Sequence, residues 1–87
     1  MLKPDQIQKR ILQALPDADI EVKDLTGTGD HFEALVVSAQ FAGKGMIEQH
    51  QLVYGPLQDL LKSGELHALA LRTFSPEQWS QLNKPKA

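Results

Sequence analysis

Apolar and polar positions recur along the chain with two different periods, and the changes of period mark the expected elements. Recurrence every three to four residues is typical of an amphipathic helix, and strict alternation is typical of a half-buried strand. The first helix begins near Pro4 and ends at about Leu15. Alternation over 20–25 and again over 31–38 then predicts two strands, and the polar, glycine-containing loop 26–30 predicts that they form a hairpin.

The second half of the chain returns to helical spacing before one last strand. Apolar positions at helical spacing, with one histidine among them, predict a second helix with a packed stripe: Met46, Ile47, His50, Val53 and Tyr54. Gly55 interrupts this helix, and Pro56 opens a third one that ends at Ser63 and Gly64. A strand follows over 64–73, and a final helix runs from the N-cap Ser75 to about Leu82.

The predicted order is therefore helix, strand, strand, helix, helix, strand, helix. The first two strands pair as an antiparallel hairpin, and the helix pair supplies the crossover that the third strand needs. We expect an α+β fold, a three-stranded sheet with helices packed on it, in a single domain over 1–82 with a frayed tail over 83–87.

His67 lies where the last strand begins. Alternation sends His67, Leu69 and Leu71 to one face, so His67 should be half-buried at the rim of the core and still reachable from solvent. Two interpretations follow. A histidine held there by rigid backbone suits a metal ligand or an acid–base group, whereas the commoner role is a hydrogen bond to a nearby carbonyl.

His31 lies where the second strand of the hairpin begins, just as His67 lies where the last strand begins. If the third strand pairs beside the hairpin with its start at the same edge, His31 and His67 converge. Two imidazoles make an incomplete site, because zinc or an iron–sulfur cluster normally takes four protein ligands. His50 shares its helical stripe with apolar residues, so we expect it to be packed or to line a groove.

Composition narrows the chemistry further. The 87 residues include no cysteine, so neither a disulfide nor a thiolate ligand can come from this chain. The net charge is −2 and the basic residues are dispersed, which disfavours autonomous nucleic-acid binding. No nucleophile elbow, P-loop, membrane-spanning run or secretory signal is visible, so we expect a non-enzymatic protein of the cytoplasm, or of an organelle if a transit peptide has been removed.

Three segments together resemble the BolA-like proteins. They are the run from His67 to Thr73 with Ser75-Pro76-Glu77-Gln78-Trp79 behind it, Gly29-Asp30-His31-Phe32 in the hairpin loop, and Val53-Tyr54-Gly55-Pro56-Leu57 between them. Their spacing agrees with the family from the first helix to Trp79. Each segment alone is a weak signal, whereas the combination is specific.

The resemblance implies a fold like the type II KH domain and pairing with a monothiol glutaredoxin. In such heterodimers a 2Fe–2S cluster is held by the glutaredoxin cysteine, glutathione and the BolA-like chain, whose ligands correspond here to His67 and, in the histidine-type subgroup, His31. The resemblance thus implies a role in iron–sulfur cluster trafficking or in iron or redox regulation, and it associates the chain with the stress response. We expect no cofactor in the isolated chain and at most a weak homodimer. We also expect partner contacts around the pair, at His50, Thr28, Gly29, Asp30 and Tyr54.

One departure bears on the alternative function, a nucleic-acid-binding transcriptional regulator. Family members credited with DNA binding tend to be basic around the second helix, whereas 46–51 carries one acidic residue and no basic one. Lys44, in Gly43-Lys44-Gly45, does not restore a basic footprint. The adaptor is therefore favoured over the regulator.

Overall fold

The computed structural model describes residues 2–25, 27 and 31–82 and confirms the predicted order of elements. The helices are α1 (Pro4–Ala14), α2 (Met46–Tyr54), α3 (Gln58–Ser63) and α4 (Pro76–Leu82), and the strands are β1 (Asp19–Asp24), β2 (His31–Val37) and β3 (Ala68–Phe74). Short 3-10 turns at Ala39–Phe41 and Gly55–Leu57 follow β2 and α2. The expected groove residues Thr28, Gly29 and Asp30, and the tail 83–87, lie outside the described residues.

The sheet has the order β1-β2-β3, and its two pairings differ in direction. β1 and β2 are antiparallel, with Glu21 opposite Leu35, whereas β2 and β3 are parallel, with His31 opposite Ala68. Parallel neighbours need a long connection, and α2 and α3 provide it, as predicted. The parallel pairing places the first residues of β2 and β3 at the same edge of the sheet.

One face of the sheet packs against the helices and forms the core. Alternation along β2 buries Phe32, Ala34 and Val36 on this face, as predicted. They meet apolar residues of α1, α2 and the turns, including Ile7, Ile11, Phe41, Val53 and Leu57, all at most 1% exposed. Leu69 and Leu71 of β3 are half-buried against this core.

The predicted stripe of α2 is wrong at its N-terminal end. Met46 and Ile47 are 71% and 75% exposed, whereas Gln49 is buried beside Val53. The Gln49 amide nitrogen donates to the carbonyls of Phe41 and Lys44 at 3.1 and 3.0 Å. A polar side chain can occupy a core position when hydrogen bonds satisfy it, and hydropathy alone does not reveal such a position.

Two boundaries also differ from the prediction. α2 continues directly into the 3-10 turn Gly55–Leu57, so α3 begins at Gln58 and not at Pro56. β3 begins at Ala68, because Gly64 ends α3 in the left-handed conformation at φ 82° and Leu66 turns into the core before the strand starts. The predicted start of α4 is confirmed, since Ser75 and Gln78 each accept a hydrogen bond from the other's main-chain N–H.

Candidate functional site

Two histidine side chains meet at the edge where β2 and β3 begin. His31 is the first residue of β2, and His67 directly precedes Ala68, the residue of β3 opposite His31. Their ring centroids are 6.4 Å apart and the ring planes are inclined by 20°. We call these two side chains the histidine pair. The convergence expected from the sequence is therefore present in the structure.

Buried neighbours hold both backbones at this edge. Phe32, directly after His31, and Leu66, directly before His67, are each 1% exposed. The main-chain N–H of Leu25 donates to the carbonyl of His31 at 2.9 Å, and that of Leu66 donates to the carbonyl of Leu60 at 3.1 Å. The pair thus sits on a fixed backbone.

The imidazoles themselves are open to solvent. Both His31 and His67 are exposed, so the prediction that His67 is half-buried at the core rim is wrong. The reason is the late start of β3, because Leu66 takes the buried position and His67 lies outside the regular alternation of the strand. Because both rings are exposed, they are accessible to a metal centre that another molecule carries.

The histidine pair cannot complete a metal site with described residues. Within 2–25, 27 and 31–82, no group of three or more His, Cys, Asp or Glu side chains is placed to hold a metal ion. Since the chain has no cysteine, any thiolate ligand must come from elsewhere. Neutral imidazole is a common ligand for iron and zinc, so the pair is suited to completing a site that a partner begins.

His50 and Tyr54 form a second contact on α2. Their rings meet edge to face, with centroids 6.4 Å apart and planes inclined by 85°, and His50 is half-buried. The Tyr54 hydroxyl donates to the carbonyl of Leu69 at 3.1 Å. This bond ties α2 to β3 two residues beyond His67, so Tyr54 supports the strand that carries the pair.

The sequence interpretation missed Leu25 as a residue of this edge. Its side chain is 55% exposed, although it is large and apolar, and its backbone is hydrogen-bonded to His31. The signal was present in the sequence. Leu25 is out of phase with Ile20 and Val22, which pack on the core, and an apolar residue out of phase with its strand faces solvent.

The carboxylates with shifted pKa values lie away from the histidine pair. The N–H of Ala39 lowers the pKa of Asp17 from its usual value, helped by the hydroxyl of Ser38, and this cluster lies at the opposite end of β2. Arg10 lowers the pKa of Asp59 by donating to both of its oxygens, at 2.7 and 2.9 Å. Both groups have structural roles. The hydrogen bonds of Asp17 join the segment before β1 to the turn after β2, and the Arg10–Asp59 ion pair joins α1 to α3.

The first turn of α2 carries no concentrated positive charge in the described part of the chain. Its charged residue is Glu48, and Lys44 precedes the helix. Across these same residues, no helix is both long enough and apolar enough to span a lipid bilayer.

Together, the fold and the edge define a small α+β protein that offers two exposed imidazoles at the parallel edge of a three-stranded sheet. Residues 10–78 match the family model described as "BolA-like protein". The chain belongs to the BolA-like protein family.

Named relatives agree with this assignment. The chain is 34% identical to "Protein BOLA2" of Arabidopsis thaliana over 89 residues, covering 100% of this chain and 94% of that protein. It is 28% identical to "Acid stress protein IbaG" of Escherichia coli K12, over 95% of each chain.

Solved structures share the fold. A bol-like protein from Babesia bovis superposes with a TM-score of 0.83 at 26% identity, over 97% of this chain and 96% of that one. The BolA domain of SufE1 from Arabidopsis thaliana gives a TM-score of 0.75 at 34% identity, over 85% of this chain and 92% of that one.

Proposed function

We propose that this chain is a non-enzymatic adaptor that binds a monothiol glutaredoxin and helps to ligate a 2Fe–2S cluster in iron–sulfur trafficking or iron and redox regulation. The cluster is cargo that the partner brings. His67 and His31 are the proposed ligands of this chain, and the glutaredoxin cysteine and glutathione supply the sulfur.

The observation that carries the proposal is the histidine pair. Two exposed, nearly parallel imidazoles lie 6.4 Å apart on a backbone that is anchored on both strands. A pair that is exposed, with no third metal-binding side chain beside it among the described residues, suits a site shared between two molecules better than a resident metal site.

The donor set also suits this cargo. When histidine replaces cysteine on one iron of a 2Fe–2S cluster, the reduction potential rises, and a protonated imidazole must lose its proton before it can bind. A cluster held partly by His31 and His67 would therefore respond to redox state and to protonation. Such a response favours sensing or transfer over long-range electron transfer.

The test is a titration of the protein into a cluster-loaded monothiol glutaredoxin, with glutathione present, followed by visible absorption and circular dichroism. We expect the wild type to reshape the cluster spectrum and His67→Ala to abolish that change. His31→Ala tests the second ligand. His50→Ala is the control for ligation, because it removes an imidazole of α2 outside the pair: it can weaken partner binding but should leave the cluster spectrum at saturation unchanged.

An unchanged spectrum with His67→Ala would refute ligation by His67. If the wild type neither binds nor alters the spectrum, the adaptor function is wrong and the nucleic-acid alternative becomes the next test. Retention on heparin or DNA at rising salt then decides, because a phosphate-binding protein loses affinity steeply with salt.

A further inference from the structure

A groove lies at the end of the sheet opposite the histidine pair, between α4 and the face of the sheet that is turned away from α1 and α2. Its volume is about 230 Å³. It is lined by β1, β2 and α4 through Asp19, Ile20, Glu21, Leu35, Val37 and Trp79. The distance along β2 from His31 to Val37 is roughly 20 Å at about 3.3 Å per residue. The groove is therefore separate from the proposed cluster site.

The strand register gives the groove an acidic side and an apolar floor. Asp19 is paired with Val37, and Glu21 with Leu35, so each carboxylate lies beside an apolar side chain on the neighbouring strand. Asp19 and Glu21 are exposed, while Leu35 is half-buried and Val37 is 8% exposed.

An indole forms the other wall. Trp79 is half-buried, and its ring lies 5.5 Å from that of Phe74, centroid to centroid. The Arg72 guanidinium lies 5.6 Å from the centre of the Phe74 ring. These contacts brace the indole from β3. None of the described residues that line the groove is basic; the nearest basic residues, Arg72 opposite Leu35 and Lys23 after Glu21, line the adjoining part of the same face.

We infer that this groove binds a basic side chain, an arginine or lysine with apolar neighbours, from an extended segment of a partner protein. Carboxylates attract the cation, the face of a tryptophan is the best aromatic surface for it, and Leu35 and Val37 accept the apolar neighbours. Charge complementarity thus selects the occupant, because an acidic segment would be repelled by Asp19 and Glu21.

The groove already has one weak internal competitor. The Lys23 ammonium lies 3.8 Å from a carboxylate oxygen of Glu21, with both side chains more than 60% exposed. Exposed pairs of this kind are weak, so a partner's cation can displace Lys23. Lys23→Gln should therefore strengthen the binding of a basic segment.

Trp79 is the only tryptophan in the chain, so its emission reports the groove directly. The probe is the tripeptide acetyl-Leu-Arg-Leu-amide, and the matched control replaces arginine with the uncharged isostere citrulline. We expect a saturable change of emission with the arginine peptide and at least fivefold weaker binding of the citrulline peptide. The amide shifts of Leu35 and Val37 in a heteronuclear NMR spectrum give a second readout.

The double variant Asp19→Asn, Glu21→Gln should bind the arginine peptide no better than the citrulline one. Glu48→Gln removes one negative charge from exposed α2 and should leave binding unchanged. Equal binding of the two peptides, or full binding by the double variant, would overturn the inference.

The chain's own tail is the rival occupant, because the sequence after α4 contains Lys84 and Lys86. The double variant Lys84→Gln, Lys86→Gln should bind the arginine peptide as the wild type does. If it binds the peptide more tightly, the tail occupies the groove and the assignment to a partner protein is wrong. None of these outcomes alters the test of the histidine pair.

Discussion

The hydroxyl of Thr73 donates a hydrogen bond of 2.8 Å to the side-chain oxygen of Gln49, and so β3 is joined to α2 through a buried amide. The nitrogen of the same amide serves the carbonyls of Phe41 and Lys44. One residue thus connects the last strand, the second helix and the turn that follows β2.

This amide gives a pH-dependent test. Gln49→Glu keeps the shape but replaces an N–H donor with an oxygen that faces two carbonyls, so burial should raise the pKa of the new carboxyl above its unfolded value. Its stability should therefore approach that of the wild type below about pH 4.3 and fall as the pH rises through the raised value. Urea unfolding of both proteins from pH 3 to pH 8 measures the difference, and Gln49→Ala should cost about 2 kcal/mol at neutral pH. A pH-independent loss for Gln49→Glu would contradict this account.

Asp17 should contribute stability that disappears in acid. The N–H of Ala39 and the hydroxyl of Ser38 lower its pKa in the folded protein, so the contribution is complete above its unfolded pKa and is lost as the pH falls through the lower folded value. We expect Asp17→Ala to cost about 1 kcal/mol at pH 7, with the hydrogen bonds discounted for exposure. Urea midpoints measured from pH 7 down to pH 2.5 check this, and the gap between the two proteins should narrow as the pH falls. A gap that does not change with pH would assign the effect to packing.

The Tyr54 hydroxyl should be worth about 1 kcal/mol of stability through its bond to Leu69, because the phenyl ring remains after substitution. Tyr54→Phe should therefore lower the free energy of unfolding by that amount and speed amide exchange at the start of β3. Amide exchange in β1, which lies on the far side of β2, serves as the internal control. Uniform acceleration in both strands would indicate a global loss and not a local one.

Leu25 should matter for partner affinity and not for cluster ligation, if the proposed function holds. It is an exposed apolar side chain beside His31, and removing its surface from water against a partner would contribute to binding. We expect Leu25→Ser to weaken glutaredoxin binding three- to tenfold while the cluster spectrum at saturation stays that of the wild type. Ile47→Ser, at an apolar position on α2 that is 75% exposed against 55% for Leu25, is the control. A changed spectrum would place Leu25 in the ligand environment itself.

Sequence reasoning predicted the convergence of the histidines on one condition, that the third strand pairs beside the second, and the structure meets this condition. A helical crossover after a hairpin makes the third strand parallel to its neighbour, and parallel strands begin at the same edge. His31 and His67 flank this edge whatever their rotamers are. Their neighbours in the expected groove, Thr28, Gly29 and Asp30, stay predictions.

The errors arose where local packing overrides periodicity. Met46 and Ile47 continue the apolar spacing of α2 but lie at its exposed start, while Gln49 takes the core position because three nearby carbonyl and hydroxyl groups satisfy its amide. Likewise, His67 is exposed because Leu66 enters the core one residue earlier. Neither choice is encoded in the spacing of apolar residues, since each depends on hydrogen bonds or packing that this spacing does not record.

The parallel pairing of β2 and β3 also has a kinetic consequence. The histidine pair joins residues on either side of the whole α2–α3 crossover, so it is a non-local contact of the kind that closes slowly during folding. When the hairpin and α2 of a nascent chain have left the ribosome, His67 is not yet in place beside His31. If the proposed function holds, both proposed cluster ligands are therefore in place only after β3 has docked beside β2.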